Sequence, residues 1–227
     1  MRLGVMGGTF DPIHVGHLVA ASEAGFLLGL DEVIFVPTGQ PWQKGHRQVT
    51  AASHRLTMCL RATADNPRFA VSRVDVDRPG PTYTVDTLRD LAAAHPGAHL
   101  AFITGADALR GILTWRDADE VLRRAQLVGV TRPGHVLVDP GVGADRVTLI
   151  DVPALAISST DIRDRVRRGA PIDYLVPAEV AEYITEQGLY QPDAGGGVAA
   201  GLGAAIEAPA GVGVAVNHPS GRGDSAG

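Results

Sequence analysis

Short apolar segments alternate with amphipathic helical patterns through most of the chain, and this alternation limits the fold more than any other feature. Leu3–Met6, Glu32–Val36, Phe69–Val76, Leu100–Thr104 and Leu127–Thr131 read as strands, with Val147–Val152 as a candidate sixth. Helices are expected between them over Gly16–Leu28, Ala51–Ala64, Tyr83–Ala94 and Ala118–Arg124, and two more follow near Ser159–Arg168 and Ala178–Glu186. Strands separated by helices in this order indicate a parallel sheet with helices on both faces. The expected fold is therefore α/β: a Rossmann-like doubly wound parallel sheet closed by C-terminal helices.

The pattern stops near residue 191. The last 36 residues hold ten of the 28 glycines, no aromatic residue and a single basic one. Such a segment buries too little apolar surface to offset its ordering entropy. The organisation expected is one domain over 1–191 and a flexible Gly/Ala-rich tail over 192–227. Arg222-Gly223-Asp224 in that tail matches an adhesion tripeptide, which in such a sequence is a chance match.

Composition excludes several classes. No apolar run reaches the ~18–20 residues of a membrane span, and Met1–Val5 does not open a signal peptide, so a cytoplasmic chain without membrane partners is expected. The net charge of −5 argues against wholesale nucleic-acid binding. Cys59 is the one cysteine, set in an apolar-periodic stretch, so it reads as a buried structural thiol. The 20 basic residues divide into 19 arginines and one lysine, Lys44, which makes that lysine conspicuous. Monomer and homo-oligomer both stay open.

The densest chemical signal is Gly7-Gly8-Thr9-Phe10-Asp11-Pro12-Ile13-His14-Val15-Gly16-His17, between the first strand and the first helix. Parallel sheets bind ligands beyond the carboxyl ends of their strands. Gly7 and Gly8 let a phosphate approach the backbone, and the helix start supplies N–H donors with a partial positive charge. His14 and His17, three apart, can face one anion, and Gly16 leaves room for a base or ribose. A His-x-x-His half-site for zinc has no Cys or acidic pair nearby to complete it, so no metal ligand is expected from protein side chains. Neither Gly-x-Gly-x-x-Gly nor Gly-Lys-Ser/Thr occurs here. Near the other end, Ile157-Ser158-Ser159-Thr160-Asp161-Ile162-Arg163 reads as a helix start in which Ser158 and Asp161 form a capping box. Arg163, one turn in, adds a planar fork suited to phosphate oxygens. Arg165, Arg167 and Arg168 read as a solvated face.

Together these motifs resemble the nucleotidyltransferase superfamily that carries a His-x-Gly-His motif. The order of Gly39–Lys44, Gly80–Leu88, Gly105-Ala106-Asp107 and Trp115 is similar to the bacterial nicotinate-nucleotide adenylyltransferases in particular, over about Met1 to Tyr190. The resemblance implies transfer of the adenylyl group of ATP to nicotinate mononucleotide, giving deamido-NAD and pyrophosphate, with Mg²⁺ on the ATP phosphates. It implies His14, His17, Lys44 and Arg163 as catalytic residues. It further implies Gly7, Gly8, Thr9, Phe10, Gly16, Gly105, Ile157, Ser158 and Ser159 around ATP. Tyr83, Thr84 and Trp115 would hold the nicotinate ring, with Asp107 near the ribose. From the residues alone Trp115 could equally be a core anchor and Asp107 a helix cap.

The chemistry suits these residue types. A phosphate monoester is mostly dianionic at neutral pH, with a second pKa of about 6, so the acceptor needs no strong general base. What it needs is in-line placement of two anions and donors for the charge at the α-phosphate and pyrophosphate. Two rivals remain: a sister nucleotidyltransferase with a different acceptor, and a non-catalytic nucleotide sensor. The retained histidines, Lys44 and Arg163 argue against the sensor.

Overall fold

The computed structural model describes residues 1–41, 49–131, 146–153 and 155–192, apart from the Asp107 side chain. Lys44 and all but the first residue of the expected tail lie outside the described residues. The elements run β1 (Arg2–Gly8), α1 (Val15–Leu27), β2 (Glu32–Pro37), β3 (Gln40–Pro41), α2 (Ala52–Thr63), β4 (Phe69–Val71), α3 (Val74–Asp77), β5 (Pro81–Thr82) and α4 (Thr84–Ala94). They continue with β6 (His99–Gly105), α5 (Ala106–Leu109), α6 (Ala118–Arg124), β7 (Ala125–Thr131), β8 (Val147–Asp151), α7 (Ser159–Arg167) and α8 (Ala178–Glu186).

Six strands form one sheet in the order β4-β2-β1-β6-β7-β8, and every pairing is parallel. The chain starts at the centre with β1, winds outward through β2 and β4, then returns to β6 and winds the other way. The doubly wound arrangement expected from the sequence is present. Its direction reverses between β1 and β6, the place where such sheets open a crevice at the carboxyl ends of their strands.

Period-two alternation assigns the two cores. Leu3, Val5, Ile34, Val36, Leu100 and Phe102 face one side, where Val85, Leu88 and Leu91 of α4 cover them. Met6, Val33, Phe35, Ala101 and Ile103 face the other, against Ala21, Ala24, Met58, Ile162, Val180 and Ile184. Burying each of the larger aliphatic side chains stabilises the fold by about 1.5–3 kcal/mol. Cys59 is buried and unpaired, and burial pushes its thiol pKa up, so it is an inert core residue.

One expected strand is shortened. Phe69–Val76 reads as continuous because Val74 and Val76 alternate with polar residues, yet the strand ends at Val71 and α3 follows. Asp75 is the cause. Its buried carboxylate accepts the Thr87 hydroxyl at 2.8 and 2.9 Å and an Arg78 guanidinium N–H at 2.9 Å, a set of partners that a turn reaches. The two-residue pair β3–β5 was not anticipated. It joins Gln40-Pro41 to Pro81-Thr82 as a separate small sheet beside the crevice. Among the described residues no helix is long and apolar enough to cross a membrane.

Candidate active site

Two cavities open at the carboxyl ends of β1 and β6. The first, about 380 Å³, is lined by Gly7, Gly8, Phe10, His14, Gly16 and His17 from the β1–α1 segment. Thr104 and Gly105 from β6, and Ile157, Ser158 and Ser159 ahead of α7, complete its working wall. The second, about 190 Å³, takes Thr9, Thr38, Asp75, Tyr83, Thr84, Trp115 and Arg116. Gly7, Gly8 and Thr104 belong to both. A ligand group above Gly7-Gly8 therefore touches both chambers, and two molecules placed one in each would meet there.

Close packing explains the glycines. A Cβ on Gly8 would lie 2.8 Å from the Phe10 ring, and one on Gly16 would lie 3.1 Å from the His14 ring. Either side chain would move an aromatic group that shapes the first cavity. Phe10 adopts a positive φ of 49°, which turns the chain sharply after the strand.

His14 is the N-cap of α1, and its ring stacks on His17 with centroids 3.7 Å apart. The His14 backbone N–H donates to Nδ1 of His17 at 3.2 Å. Nδ1 is thus an acceptor, which puts the ring proton of His17 on Nε2. Burial, and then the neighbouring His14, hold the His17 pKa well below the usual histidine value. His17 is a neutral ring with one fixed N–H donor rather than an imidazolium.

The segment that carries the histidines is held at five points. Arg163 donates to the Asp11 carbonyl, and Ser159 Oγ donates to the Pro12 carbonyl at 2.9 Å. The Val15 N–H donates to the Leu175 carbonyl at 3.0 Å, and the Tyr190 hydroxyl donates to Asp11 Oδ1 at 2.9 Å. Arg55 forms the fifth hold. Only 1% exposed, it donates to the carbonyls of Thr9, Gly39 and Thr50, each at 2.8 Å. That fork ties the β1–α1 segment to both flanks of residues 42–48.

Most of the site residues expected from sequence come together here, with four differences. Thr9 lines the second cavity rather than the first. Arg163 lines neither, because its buried guanidinium is turned to Asp11 and Thr160. Lys44 and the Asp107 side chain lie outside what is described. Trp115 packs edge-on against Phe102 at 5.9 Å and also lines the second cavity. Ser158 caps α7 through the Asp161 N–H at 3.1 Å, while Arg165 and Arg167 pair with Asp161 and Asp164 on an exposed face.

Sequence reasoning missed Thr104, Asp75, Arg116, Arg55 and Tyr190. Only Arg55 carried a readable signal: it shares a helix face with Cys59 and Thr63, spaced i, i+4, i+8, and all three are buried. Asp75 contributes a buried carboxyl to the second cavity; burial raises its pKa to about 6, against the opposing pull of Thr87 and Arg78. Among the described residues no cluster of His, Cys, Asp and Glu could hold a metal ion.

A larger cleft of about 560 Å³ lies at the opposite end of the strands and contains Arg2, Arg123, Arg124 and Arg146. It holds none of the motif residues. Arg123 and Arg124 occupy the last turn of α6, where cations balance the helix dipole, and Arg124 pairs with Glu120.

Residues 5–165 match the cytidylyltransferase-like family model. A protein of Paenarthrobacter aurescens named "Probable nicotinate-nucleotide adenylyltransferase" is 65% identical over 185 residues, covering 82% of this chain and 89% of the relative. A Streptomyces coelicolor protein of the same name is 63% identical, covering 82% of this chain and 99% of its own. In structure, the Plasmodium falciparum nicotinic acid mononucleotide adenylyltransferase complexed with NaAD aligns with a TM-score of 0.68 at 22% identity. That alignment covers 83% of this chain and 97% of the other, a likeness of fold.

Proposed function

This chain belongs to the nicotinate-nucleotide adenylyltransferases, within the cytidylyltransferase-like family, and from that premise we propose how its two cavities divide the work. The reaction joins the adenylyl group of ATP to nicotinate mononucleotide and releases pyrophosphate, forming deamido-NAD for NAD biosynthesis. In our reading ATP occupies the first cavity, its α-phosphate over Gly7-Gly8. Nicotinate mononucleotide occupies the second, its ring beside Trp115 and Tyr83 and its phosphate at the junction. The single observation that carries this reading is the sharing of Gly7, Gly8 and Thr104 by both cavities.

An oxygen of the acceptor phosphate attacks the α-phosphorus, a new P–O bond forms, and the bond to the β-phosphate oxygen breaks with its electron pair leaving on pyrophosphate. No proton needs removal, since the attacking phosphate is already anionic. The protein's task is to align the groups and to present donors where charge grows. The His17 Nε2–H, the Thr104 hydroxyl, the N–H groups at the start of α1 and α7, and Lys44 are the donors we assign. Arg163 is a positioning residue that holds the Asp11 carbonyl beneath the histidines. A Mg²⁺ ion accompanying ATP would supply neutralisation of the charge that grows on the departing pyrophosphate. A cytoplasmic setting accords with an ATP-consuming reaction of soluble nucleotides.

Pyrophosphate release measured with ATP and parallel acceptors tests the reading: nicotinate mononucleotide, nicotinamide mononucleotide, phosphopantetheine and flavin mononucleotide. Nicotinate mononucleotide should lead nicotinamide mononucleotide by at least about tenfold in kcat/KM, or ~1.4 kcal/mol. Comparable turnover of both, or preference for another acceptor, would overturn the assignment.

A further inference from the structure

Among the described residues that line the second cavity, Arg116 is the one cation. It follows Trp115 directly, and its guanidinium carbon sits 4.6 Å from the centroid of the Tyr83 ring. Stacking on an aromatic face holds the head group in place without consuming its in-plane N–H donors. Its acidic neighbour does not neutralise it. Asp117 Oδ2 lies 3.9 Å from Arg116 Nε, with both side chains half exposed, and the same carboxylate stands 3.7 Å from Arg89. An exposed pair at that distance contributes little. Among the described residues of the cavity wall the one acid, Asp75, is already bonded to Thr87 and Arg78.

The cavity has two distinct ends. Gly7, Gly8 and Thr104 belong to the junction, whereas Tyr83, Trp115 and Arg116 line the second cavity alone. Resting on the reading that the acceptor's phosphate lies at the junction, its ring falls at the aromatic end, beside a cation. The two candidate rings differ most in charge. A nicotinate ring is a pyridinium carrying a carboxylate, neutral overall, and its anionic edge can accept a charge-assisted pair from a guanidinium. A nicotinamide ring is a bare cation whose carboxamide offers N–H groups toward another donor.

We propose that Arg116, stacked on Tyr83, is the side chain that selects a ring bearing a carboxylate: it pairs with that carboxylate and repels a net-cationic ring. Selectivity then has an attractive and a repulsive part in one group. Removing the charge must act oppositely on the two acceptors, which a residue serving only the fold or the shared phosphate could not produce.

The experiment is steady-state kinetics of wild type, Arg116→Met and Arg116→Lys with each mononucleotide, beside thermal melts of all three. Arg116→Met should lose at least tenfold in kcat/KM for nicotinate mononucleotide, mainly through KM, while nicotinamide mononucleotide is used as well as before or better. Arg116→Lys should recover part of the selectivity, because charge returns without the planar fork. Equal loss on both acceptors, or no loss on either, would overturn the proposal while leaving the adenylyl-transfer reading intact. A wild-type protein that uses neither mononucleotide would overturn the functional reading itself, and this proposal with it.

Discussion

Replacing Arg55 by methionine should damage stability and catalysis together, although Arg55 lines neither cavity. Its fork makes three hydrogen bonds of 2.8 Å, to Thr9, Gly39 and Thr50, and the residue is 1% exposed. Methionine matches much of the volume and supplies no donor. Three partly buried carbonyls then lose their partners, each costing about 1 kcal/mol at the low end of the range for unsatisfied groups, or roughly 3 kcal/mol together. Burial lowers the arginine's own pKa, so removing the charge relieves some desolvation and keeps the total near that low end. For a domain of this size the Tm should fall by about 6–12 °C. Thr9 lines the second cavity, and Gly39 lies in the chain between its wall residues Thr38 and Pro41, so kcat/KM should fall at least tenfold at a temperature where the variant is folded. Arg55→Lys discriminates geometry from charge: one ammonium cannot reach three carbonyls arranged around a planar fork, and it should recover less than half the lost stability. Scanning calorimetry and steady-state kinetics are the assays. A methionine variant melting within 2 °C of wild type, or a lysine variant equal to wild type, would refute the clamp.

Four other outcomes follow, three from the site and one from the tail. His17→Ala should lower kcat by roughly 10²-fold or more, as removal of a preorganised donor does; a loss of only a few-fold would remove His17 from the mechanism. Because the folded state holds the His17 pKa below its unfolded value of about 6.5, the stability linked to its neutral form is present above that pH and lost as pH falls through the lowered folded value. Urea titrations of wild type and His17→Gln should diverge only on that acid side. Lys44→Arg should keep the charge yet lose at least about tenfold in kcat/KM, since a planar guanidinium holds two phosphates farther apart than an ammonium does; full activity in the arginine variant would leave charge alone as its role. A chain ending at Gln191 should keep its Tm and kcat/KM, and a fall in either would mean that the Gly/Ala-rich tail docks on the body.

The sheet was legible because its strands are apolar on both faces and its helices carry Gly and Pro punctuation, so period and breaker agree. The error at Phe69–Val76 has a largely tertiary cause: Val74 and Val76 alternate as a strand would, and Thr87, twelve residues beyond Asp75, joins Arg78 in drawing that carboxyl inward. Gln40-Pro41 and Pro81-Thr82 are too short and too proline-rich to read as strands at all. The first cavity was legible because its residues cluster in two motifs. The supports beneath it were not, since Arg55 meets Thr9 across 46 positions and Tyr190 meets Asp11 across 179. No local pattern announces partners that distant. Arg163 shows the reverse difficulty. Its spacing suits a phosphate ligand, while the fold turns its guanidinium onto a backbone carbonyl.

A crystal structure with deamido-NAD bound tests the two-cavity account most directly, because the product carries both halves of the reaction in one molecule. The adenosine half should lie against His14, Gly16, His17 and Ile157–Ser159, the nicotinate ring beside Tyr83 and Trp115, and the bridging phosphates over Gly7-Gly8. Adenosine in the second cavity, or the whole molecule in the arginine-lined cleft around Arg2 and Arg124, would contradict it.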